Sequence, residues 1–412
     1  MAKSKKIHLW IPELFSSKGG IQVFSGFFLR AIQNLYPQVD LEVFIKNDTN
    51  QIIRDYLSKT EKISPSTTRS EQSLDLGSNY VELLTANSER LASIHFHGTG
   101  TTKSPLRTVI FALRLILSAI AQKPDLIIMT HLNFAPIALL LKKILGIKYV
   151  AIAHGVEAWD IENQLLKSAL HNANLILAVS NYTRDRLYQE QNLALEKMAI
   201  LHNTFDADNW KIAPKPQYLL TKYGLNPEQK VILTVSRLIK SEQYKGYDKL
   251  LEAMPAIRQV IPNVHYLIVG KGSDLDRLEQ IIRQHDIQDC VTLAGFIPDE
   301  QLCDYYNLCD LFAMPSKREG FGIVYLEALA CGKPALGGNL DGAIDALCDG
   351  KLGALVNPDN SEEIADTVIN ILLGDYHNKI IYQPQKLREE SIDNFGFERF
   401  QKTIGDRLQS LI

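Results

Sequence analysis

Two glutamates, Glu319 and Glu327, mark the stretch of this chain whose residue types could do chemistry. Glu319 follows a predicted strand over residues 311–314, and Glu327 lies inside the helix that the sequence predicts next. Gly320 and Gly322 lie between them and carry no side chain, so a ligand can approach the backbone closely. The free N–H groups at the start of a helix attract anions. The stretch therefore predicts a site for a ligand with both hydroxyls and phosphate, as in a nucleotide sugar.

Two cations, Arg237 and Lys245, fall in the same half of the chain. Arg237 follows a predicted strand over residues 231–235, and Lys245 precedes a predicted helix. A guanidinium and an ammonium at these positions could hold a diphosphate and offset the charge that develops on a leaving group. Each could instead be a solvated surface cation. The Glu319 loop in the same predicted domain favours the binding interpretation, because several groups then converge on one site.

Two glycine motifs follow strands and could admit a ligand to the backbone. Gly270 and Lys271 come after a strand over residues 265–269, in a pattern that is also typical of a plain tight turn. Gly19 and Gly20 come after the first strand and lead into a helix, where an ordinary strand–helix connection is equally expected.

Three histidines end strands in the first half of the chain: His97, His131 and His154. His154 is the strongest candidate for a functional role, because the strand before it is fully apolar and Glu157 lies in the loop behind it. The other two could serve packing or hydrogen bonding alone.

Short β-branched runs alternate with amphipathic stretches along the whole chain, a pattern typical of parallel sheets covered by helices on both faces. The rhythm is interrupted near residues 205–230. We therefore predict two doubly wound, Rossmann-like α/β domains facing a cleft, over residues 1–208 and 209–396. An amphipathic helix is predicted over residues 397–412, and a polar surface loop over residues 46–71.

Bulk properties exclude several classes of protein. The net charge of −3 gives no general reason to bind nucleic acid. Five cysteines without a C-x-x-C spacing indicate free thiols in a reducing cytoplasm. No apolar run approaches the ~20 residues of a membrane span, so we expect a cytoplasmic protein, or one peripheral to the membrane. The stretch Lys103–Ile120 could dock on an anionic bilayer, although a helix covering the core is favoured.

Metal signals are weak. Asp206 with Asp208 and Asp274 with Asp276 form D-x-D pairs, but the first pair lies in the predicted linker and the second begins a helix, where an acid caps well. We expect neither a metal nor another cofactor.

Together these motifs resemble glycosyltransferase family 4, whose members are retaining enzymes of the GT-B fold. The resemblance is strongest over residues 231–358 and weakest over residues 46–90. It implies transfer of a hexose from a nucleotide-diphosphate sugar to a saccharide or lipid-linked acceptor, in polysaccharide or glycolipid synthesis, without a metal. UDP-sugar is favoured over GDP-sugar as the donor.

The resemblance also implies roles for individual residues. Arg237 and Lys245 would hold the diphosphate, Glu319 would contact sugar hydroxyls, and His154 would lie near the reacting sugar. These four form the expected catalytic set. The expected donor-binding set is Gly19, Gly20, Gly270, Lys271, Phe296, Gly320, Phe321, Gly322, Ile323, Val324 and Glu327. The final helix would pack back on the first domain.

Two other functions fit the same pattern. A UDP-sugar epimerase would need further acid and base residues in the cleft. A non-catalytic nucleotide-sugar binding subunit would not need the intact set of Glu319, Arg237, Lys245 and His154. Acceptor identity and oligomeric state are not encoded in any motif of the chain.

Overall fold

The computed structural model of the protein describes residues 4–16, 19–60, 94–101 and 104–412. The chain divides into two compact units. Unit 1 consists of Met1–Thr204 with Phe397–Ile412, and unit 2 consists of Phe205–Gly396. Over the part of the chain that the structure describes, we find no helix with the length and hydrophobicity needed to cross a bilayer.

Unit 1 is built on a parallel sheet of seven strands in the order β3-β2-β1-β4-β5-β6-β7. The strands are β1 (Lys6–Ile11), β2 (Asp40–Ile45), β3 (Ile94–Gly98), β4 (Leu126–Met129), β5 (Lys148–Ala153), β6 (Leu175–Ala178) and β7 (Met198–Ile200). The helices between them are α1 (Gly20–Leu35), α2 (Asn50–Thr60), α3 (Leu106–Gln122), α4 (Ala135–Leu145), α5 (Gln164–His171) and α6 (Asn181–Gln191). Strand β4 is buried at all four positions, as expected for a central strand covered on both faces.

Unit 2 repeats the architecture with six parallel strands in the order β10-β9-β8-β11-β12-β13. These strands are β8 (Lys230–Val235), β9 (Val264–Val269), β10 (Val291–Gly295), β11 (Leu311–Met314), β12 (Ala335–Gly338) and β13 (Ala354–Val356). Its helices are α7 (Gln217–Tyr223), α8 (Tyr247–Val260), α9 (Leu275–Gln284), α10 (Asp299–Leu308), α11 (Ile323–Ala330), α12 (Ala343–Ala346), α13 (Ser361–Leu373) and α14 (Pro384–Phe395). The predicted pair of parallel α/β sheets is confirmed.

The last helix, α15 (Phe397–Leu408), packs on α1 of unit 1, which confirms its predicted return. The Phe400 ring meets Phe24 edge to face at 5.5 Å, and the Arg30 guanidinium lies 4.3 Å from the centre of the Phe397 ring. Aromatic pairs of this kind add stabilisation beyond the apolar area that they bury.

The polar loop predicted over residues 46–71 is present at residues 46–49, but the prediction is wrong over residues 50–60, which form helix α2. Thr49 accepts a hydrogen bond from the Ile52 N–H at 3.0 Å and so caps the helix start. Ile53 is buried at 3% exposure, which anchors the helix to unit 1. The low overall hydrophobicity of this segment concealed that anchor. Residues 61–71 lie outside the described part of the chain.

Candidate functional site

The loops that follow the strands of unit 2 gather at the carboxyl edge of its sheet, where parallel α/β sheets bind their ligands. Backbone hydrogen bonds join neighbouring loops. The Leu238 N–H donates to the Lys271 carbonyl at 3.1 Å, and the Lys317 N–H donates to the Tyr244 carbonyl at 2.9 Å. The loops after β8, β9 and β11 are therefore held together as one connected rim.

Lys245 and Glu319, which come from two of these loops, form an ion pair. Their side chains are only 15% and 17% exposed, so the pair is shielded from bulk water. Burial by itself lowers the pKa of Lys245, but the adjacent Glu319 carboxylate outweighs burial and leaves that pKa above its ordinary value. The lysine is thus charged at neutral pH and lies beside a carboxylate, an arrangement that suits a ligand with both anionic and hydroxyl groups.

Glycine is required where the Lys245 loop meets the Glu319 loop. Gly246 has φ +77°, and a Cβ there would lie 2.0 Å from the Pro315 carbonyl oxygen. Any side chain at this position would push the two loops apart. The close approach fixes Lys245 against the segment that carries Glu319.

Asp341, a residue that the sequence analysis did not single out, holds the Glu319 loop in place. Its side chain is fully buried, and its Oδ2 accepts hydrogen bonds from the Glu319 N–H and the Ser316 hydroxyl, both at 2.7 Å. Its Oδ1 accepts from the Ala343 N–H at 2.9 Å. Burial raises the pKa of Asp341 to about 6, although these hydrogen bonds oppose the rise. The Gly342 N–H also donates to the Glu319 carbonyl at 2.8 Å, so the loop is fixed from both sides.

Arg237 lies on the same rim with its side chain 65% exposed. Its guanidinium pairs with the Glu242 carboxylate at 2.6 Å. Arg237, Lys245 and Glu319 therefore lie in loops of unit 2 that hydrogen-bond to one another. Arg237 keeps most of its surface open, whereas the other two are enclosed.

Glu327 lies on α11, and its carboxylate accepts a hydrogen bond from the Tyr306 hydroxyl at 2.7 Å. Gly322 precedes this helix at φ +90°, and a Cβ there would lie 2.5 Å from the Tyr325 ring. No side chain caps the helix start. The N–H groups of Ile323 and Val324 lie at this end of the helix, where an anion is favoured.

Phe321 contributes packing within this loop. Its side chain is 1% exposed and meets the Phe395 ring edge to face at 5.4 Å. Gly320, just before it, is also buried. A ligand at this position would therefore meet the backbone of Phe321 and not its ring.

Lys271 and Phe296 stand together at the ends of β9 and β10. The ammonium of Lys271 lies 4.5 Å from the centre of the Phe296 ring, which is 61% exposed. Gly270 has φ +149° and donates its N–H to the Gly295 carbonyl at 2.8 Å, which joins the two strand ends. An exposed aromatic face beside a cation offers a stacking surface for a flat ring.

In unit 1, His154 follows β5 and is fixed by two neighbours. Its Nε2 lies 3.0 Å from the Thr130 carbonyl oxygen, so Nε2 carries the proton, and Phe24 meets the imidazole edge to face at 4.7 Å. Burial, helped by the nearby His131 and opposed by the hydrogen bond to Thr130, lowers the pKa of His154 to about 3. The ring is therefore neutral at pH 7, with Nδ1 as a hydrogen-bond acceptor.

The three strand-end histidines do not form one cluster. His131 and His154 follow β4 and β5, which are adjacent strands, whereas His97 lies on β3 at the far edge of the sheet. His97 pairs with Glu42 at 2.5 Å and stacks on Phe44, so it serves the sheet itself. The sheet order therefore brings His131 and His154 to neighbouring strands and keeps His97 apart from them.

Gly19 and Gly20 begin α1 in unit 1. A Cβ at Gly20 would meet no atom within 4 Å, and one at Gly19 would meet only the end of the flexible Gln22 side chain. Local packing of unit 1 therefore gives no reason for glycine at Gly20, and open space lies beside the start of the helix.

The two aspartate pairs serve local structure. Asp206 accepts a hydrogen bond from the Asp208 N–H at 3.2 Å, as a turn cap does. Asp274 is fully buried and accepts from Tyr247 at 3.0 Å and from Arg277.

The family model described as "Glycosyl transferases group 1" matches residues 219–388, and the one described as "Glycosyltransferase Family 4" matches residues 75–209. Among curated relatives, the chain is 33% identical to a "GDP-mannose-dependent alpha-(1-6)-phosphatidylinositol monomannoside mannosyltransferase" of Mycolicibacterium smegmatis. That match covers 68% of this chain and 74% of the relative. The enzyme of the same name from Mycobacterium tuberculosis is 30% identical, over 58% of this chain and 65% of that enzyme.

The fold is shared with solved structures. Anabaena HepE in complex with UDP has a TM-score of 0.72 at 19% identity, covering 98% of this chain and all of that one. A glycosyltransferase from Rickettsia africae has a TM-score of 0.73 at 18% identity, with 99% of each chain covered. The predicted GT-B fold is thus confirmed, and the sequence relatives confirm the resemblance on which it was based. The chain belongs to glycosyltransferase family 4 and is a glycosyltransferase.

Proposed function

We propose that this glycosyltransferase moves a hexosyl residue from a nucleoside-diphosphate sugar to a saccharide or lipid-linked acceptor, with retention at the anomeric carbon. Unit 2 binds the donor, and unit 1 binds the acceptor. The observation that carries the proposal is the shielded Lys245–Glu319 pair, which Asp341 and Gly246 fix at the carboxyl edge of the unit 2 sheet.

Each charged residue of the rim has a role that its surroundings support. Lys245 and Arg237 hold the diphosphate, because both are cations that already face a carboxylate which an anionic ligand can replace. Glu319 accepts hydrogen bonds from sugar hydroxyls. Glu327 accepts from the ribose, alongside the hydrogen bond that it receives from Tyr306.

The N–H groups that begin α11 add partial positive charge beside Glu319, the residue that pairs with Lys245. Lys245, Arg237 and these N–H groups would then stabilise the negative charge of the departing diphosphate. We propose that these donors take the place of a metal ion.

The proposed reaction keeps both bonds on one face of the sugar. The bond from the anomeric carbon to the diphosphate oxygen breaks, and a bond to the acceptor oxygen forms on the same face. The proton of the acceptor hydroxyl passes to the departing diphosphate oxygen. His154 in unit 1, neutral at pH 7, orients a hydroxyl through its Nδ1 and does not donate a proton.

The donor base is a point on which the sequence motifs and the relatives differ. The motifs favoured UDP, but the two relatives at 33% and 30% identity are named for GDP-mannose. We therefore propose a GDP-hexose, with GDP-mannose as the first to test, and keep UDP-glucose as the second candidate. The exposed Phe296 ring beside Lys271 is the proposed stacking surface for the base. The relatives are named as transferases, which favours neither the epimerase nor the non-catalytic alternative.

The experiment is a transfer assay with four donors: GDP-mannose, GDP-glucose, UDP-glucose and UDP-N-acetylglucosamine. Phosphatidylinositol monomannoside is the first acceptor to try, and release of the nucleoside diphosphate is measured with and without it. We expect acceptor-dependent release of GDP from GDP-mannose and an α-linked product by NMR. Use of UDP-sugars alone would refute the donor assignment. A β-linked product would refute retention.

A further inference from the structure

Helix α3 of unit 1 presents an apolar stripe to its surroundings. The stripe consists of five large side chains, each about half exposed or more: Leu106 (58%), Val109 (55%), Leu113 (54%), Leu117 (66%) and Ile120 (47%). At 100° per residue they fall within an arc of about 80°, and they extend over roughly 21 Å of helix. A surface helix of a globular protein normally turns polar residues outward, so this stripe marks an interaction surface.

The opposite face of α3 is already in use. Phe111, Leu115 and Ala119 are buried in the core of unit 1, as the prediction of a core-covering helix required. The helix is therefore apolar on two sides, one held by its own fold and one turned outward. The packing of the inner side on the core holds the helix in place, so the outward side stays formed without a partner.

The segment of chain that forms α3 and α4 is basic. Residues 104–148 contain six lysines and arginines and a single acid, Asp125. Asp125 already accepts a hydrogen bond from the Lys6 backbone N–H at 2.8 Å. Lys123, Lys143 and Lys148 are exposed. Helix α4, which contacts α3, adds two exposed apolar residues, Leu140 (43%) and Ile144 (66%).

We propose that this surface, the α3 stripe with its basic surroundings, docks the enzyme on an anionic lipid bilayer. A stripe of leucine, valine and isoleucine can enter the boundary between headgroups and acyl chains while lysines contact anionic headgroups. A second copy of the chain fits the same surface less well, because a two-fold interface would bring two sets of like charges together. The inference rests on unit 1 alone and does not depend on the donor proposed for unit 2.

The test is co-sedimentation of the full chain with sonicated vesicles, without any sugar nucleotide. One set of vesicles is phosphatidylcholine alone, and the other contains phosphatidylglycerol in equal amount. We expect binding to the anionic vesicles that is at least roughly tenfold stronger than to the neutral ones and that weakens with salt. Equal binding to both would overturn the electrostatic half of the proposal, and binding to neither would overturn all of it.

Two double variants, each of which adds two negative charges, test whether the position of the charges matters. Leu113→Glu with Leu117→Glu places two acids on the stripe, and Leu165→Glu with Leu373→Glu places two acids on leucines that are 67% and 53% exposed elsewhere. We expect the first pair to lose vesicle binding by roughly tenfold or more and the second pair to keep most of it. Equal loss in both pairs would overturn the assignment to α3.

Light scattering without lipid tests the other occupant. If the wild-type chain were a dimer that Leu113→Glu with Leu117→Glu converts to a monomer, the stripe would be a contact between copies and the bilayer proposal would be wrong. Circular dichroism confirms that each variant is folded.

Discussion

Replacing Asp341 by asparagine should stabilise unit 2 at neutral pH while impairing transfer. Asparagine closely resembles the protonated carboxyl group in shape and hydrogen-bonding capacity. Wild-type Asp341, in contrast, is ionised above its pKa of about 6 and stays fully buried. The pH dependence of the comparison therefore reports the cost of keeping this charge beneath the Glu319 loop.

The magnitude follows from the shift in pKa. Burial raises the pKa of Asp341 from 3.8 to about 6. At 1.36 kcal/mol per pKa unit, the ionised form costs the native state about 3 kcal/mol. The pKa of Asp341 is higher in the folded state than in the unfolded state, so the protonated carboxyl stabilises the protein. This stabilisation is fully present below the unfolded-state pKa of 3.8, and it is lost as the pH rises through the folded-state pKa of about 6. About 2 kcal/mol of that change falls between about pH 4.5 and 7.5.

The assay is urea unfolding followed by tryptophan fluorescence. Trp210 is the tryptophan of unit 2, where it meets Tyr306 at 5.4 Å, so Trp10 and Trp159 are replaced by phenylalanine in both proteins. We expect the variant to be more stable than its parent at about pH 7.5 and nearly equal to it at about pH 4. Asp366→Asn, at an exposed position on α13, is the control and should show no such pH dependence.

The same substitution that raises stability should lower the turnover number kcat. Asparagine cannot accept hydrogen bonds at both of its terminal atoms, so at least one of the donors from Ser316, Glu319 and Ala343 is left without its partner. The loop then shifts, and we expect kcat to fall by roughly tenfold or more. A variant that is less stable at every pH, or a stability difference that does not change with pH, would refute the reasoning.

Three further predictions concern other contacts. Glu327→Gln should weaken binding of the free nucleoside diphosphate by about 1–3 kcal/mol, measured by calorimetry, and unchanged affinity would count against the ribose role. A chelator should leave the transfer rate unchanged if protein cations replace a metal, and a lost rate would contradict that proposal. Phe400→Ala removes the 3%-exposed ring that packs on Phe24, so unit 1 should lose about 3–5 kcal/mol of unfolding free energy in denaturant titration. Lys402→Ala, at a side chain that is 71% exposed, should cost almost nothing, and an equal loss in both variants would refute the packing role.

The parts of the molecule that were predictable from sequence are those with a periodic or local signal. Continuous apolar runs such as β4 predict a central parallel strand, and the amphipathic spacing of residues 397–408 predicts α15. Glu319 was found because it stands just past a strand in a glycine-containing loop, and Lys245 because it lies just before a helix of the same predicted domain. Topology then brings such positions to one edge of a sheet.

What could not be predicted depends on contacts between distant segments. Asp341 stands in a short loop after β12, and nothing in its immediate sequence shows that its carboxylate reaches back to the Glu319 loop. Phe321 was expected among donor-binding residues from its motif, yet its burial against Phe395 is visible only in the folded chain. Ile53 anchors α2, and the other apolar residues of that helix, Ile52, Tyr56 and Leu57, span too few turns for periodicity to stand out among the polar residues.

The central claim is that the shielded lysine of unit 2 binds the diphosphate of the donor, and calorimetric titration of GDP and UDP tests it most directly. The variants are Lys245→Met and, as a matched control in the Glu319 loop, Lys317→Met, whose ammonium is exposed and pairs with Asp359 at 2.7 Å. We expect Lys245→Met to weaken binding of the preferred nucleotide by roughly tenfold or more and Lys317→Met to change it by less than about twofold. Equal affinity in the wild type and Lys245→Met would contradict the claim.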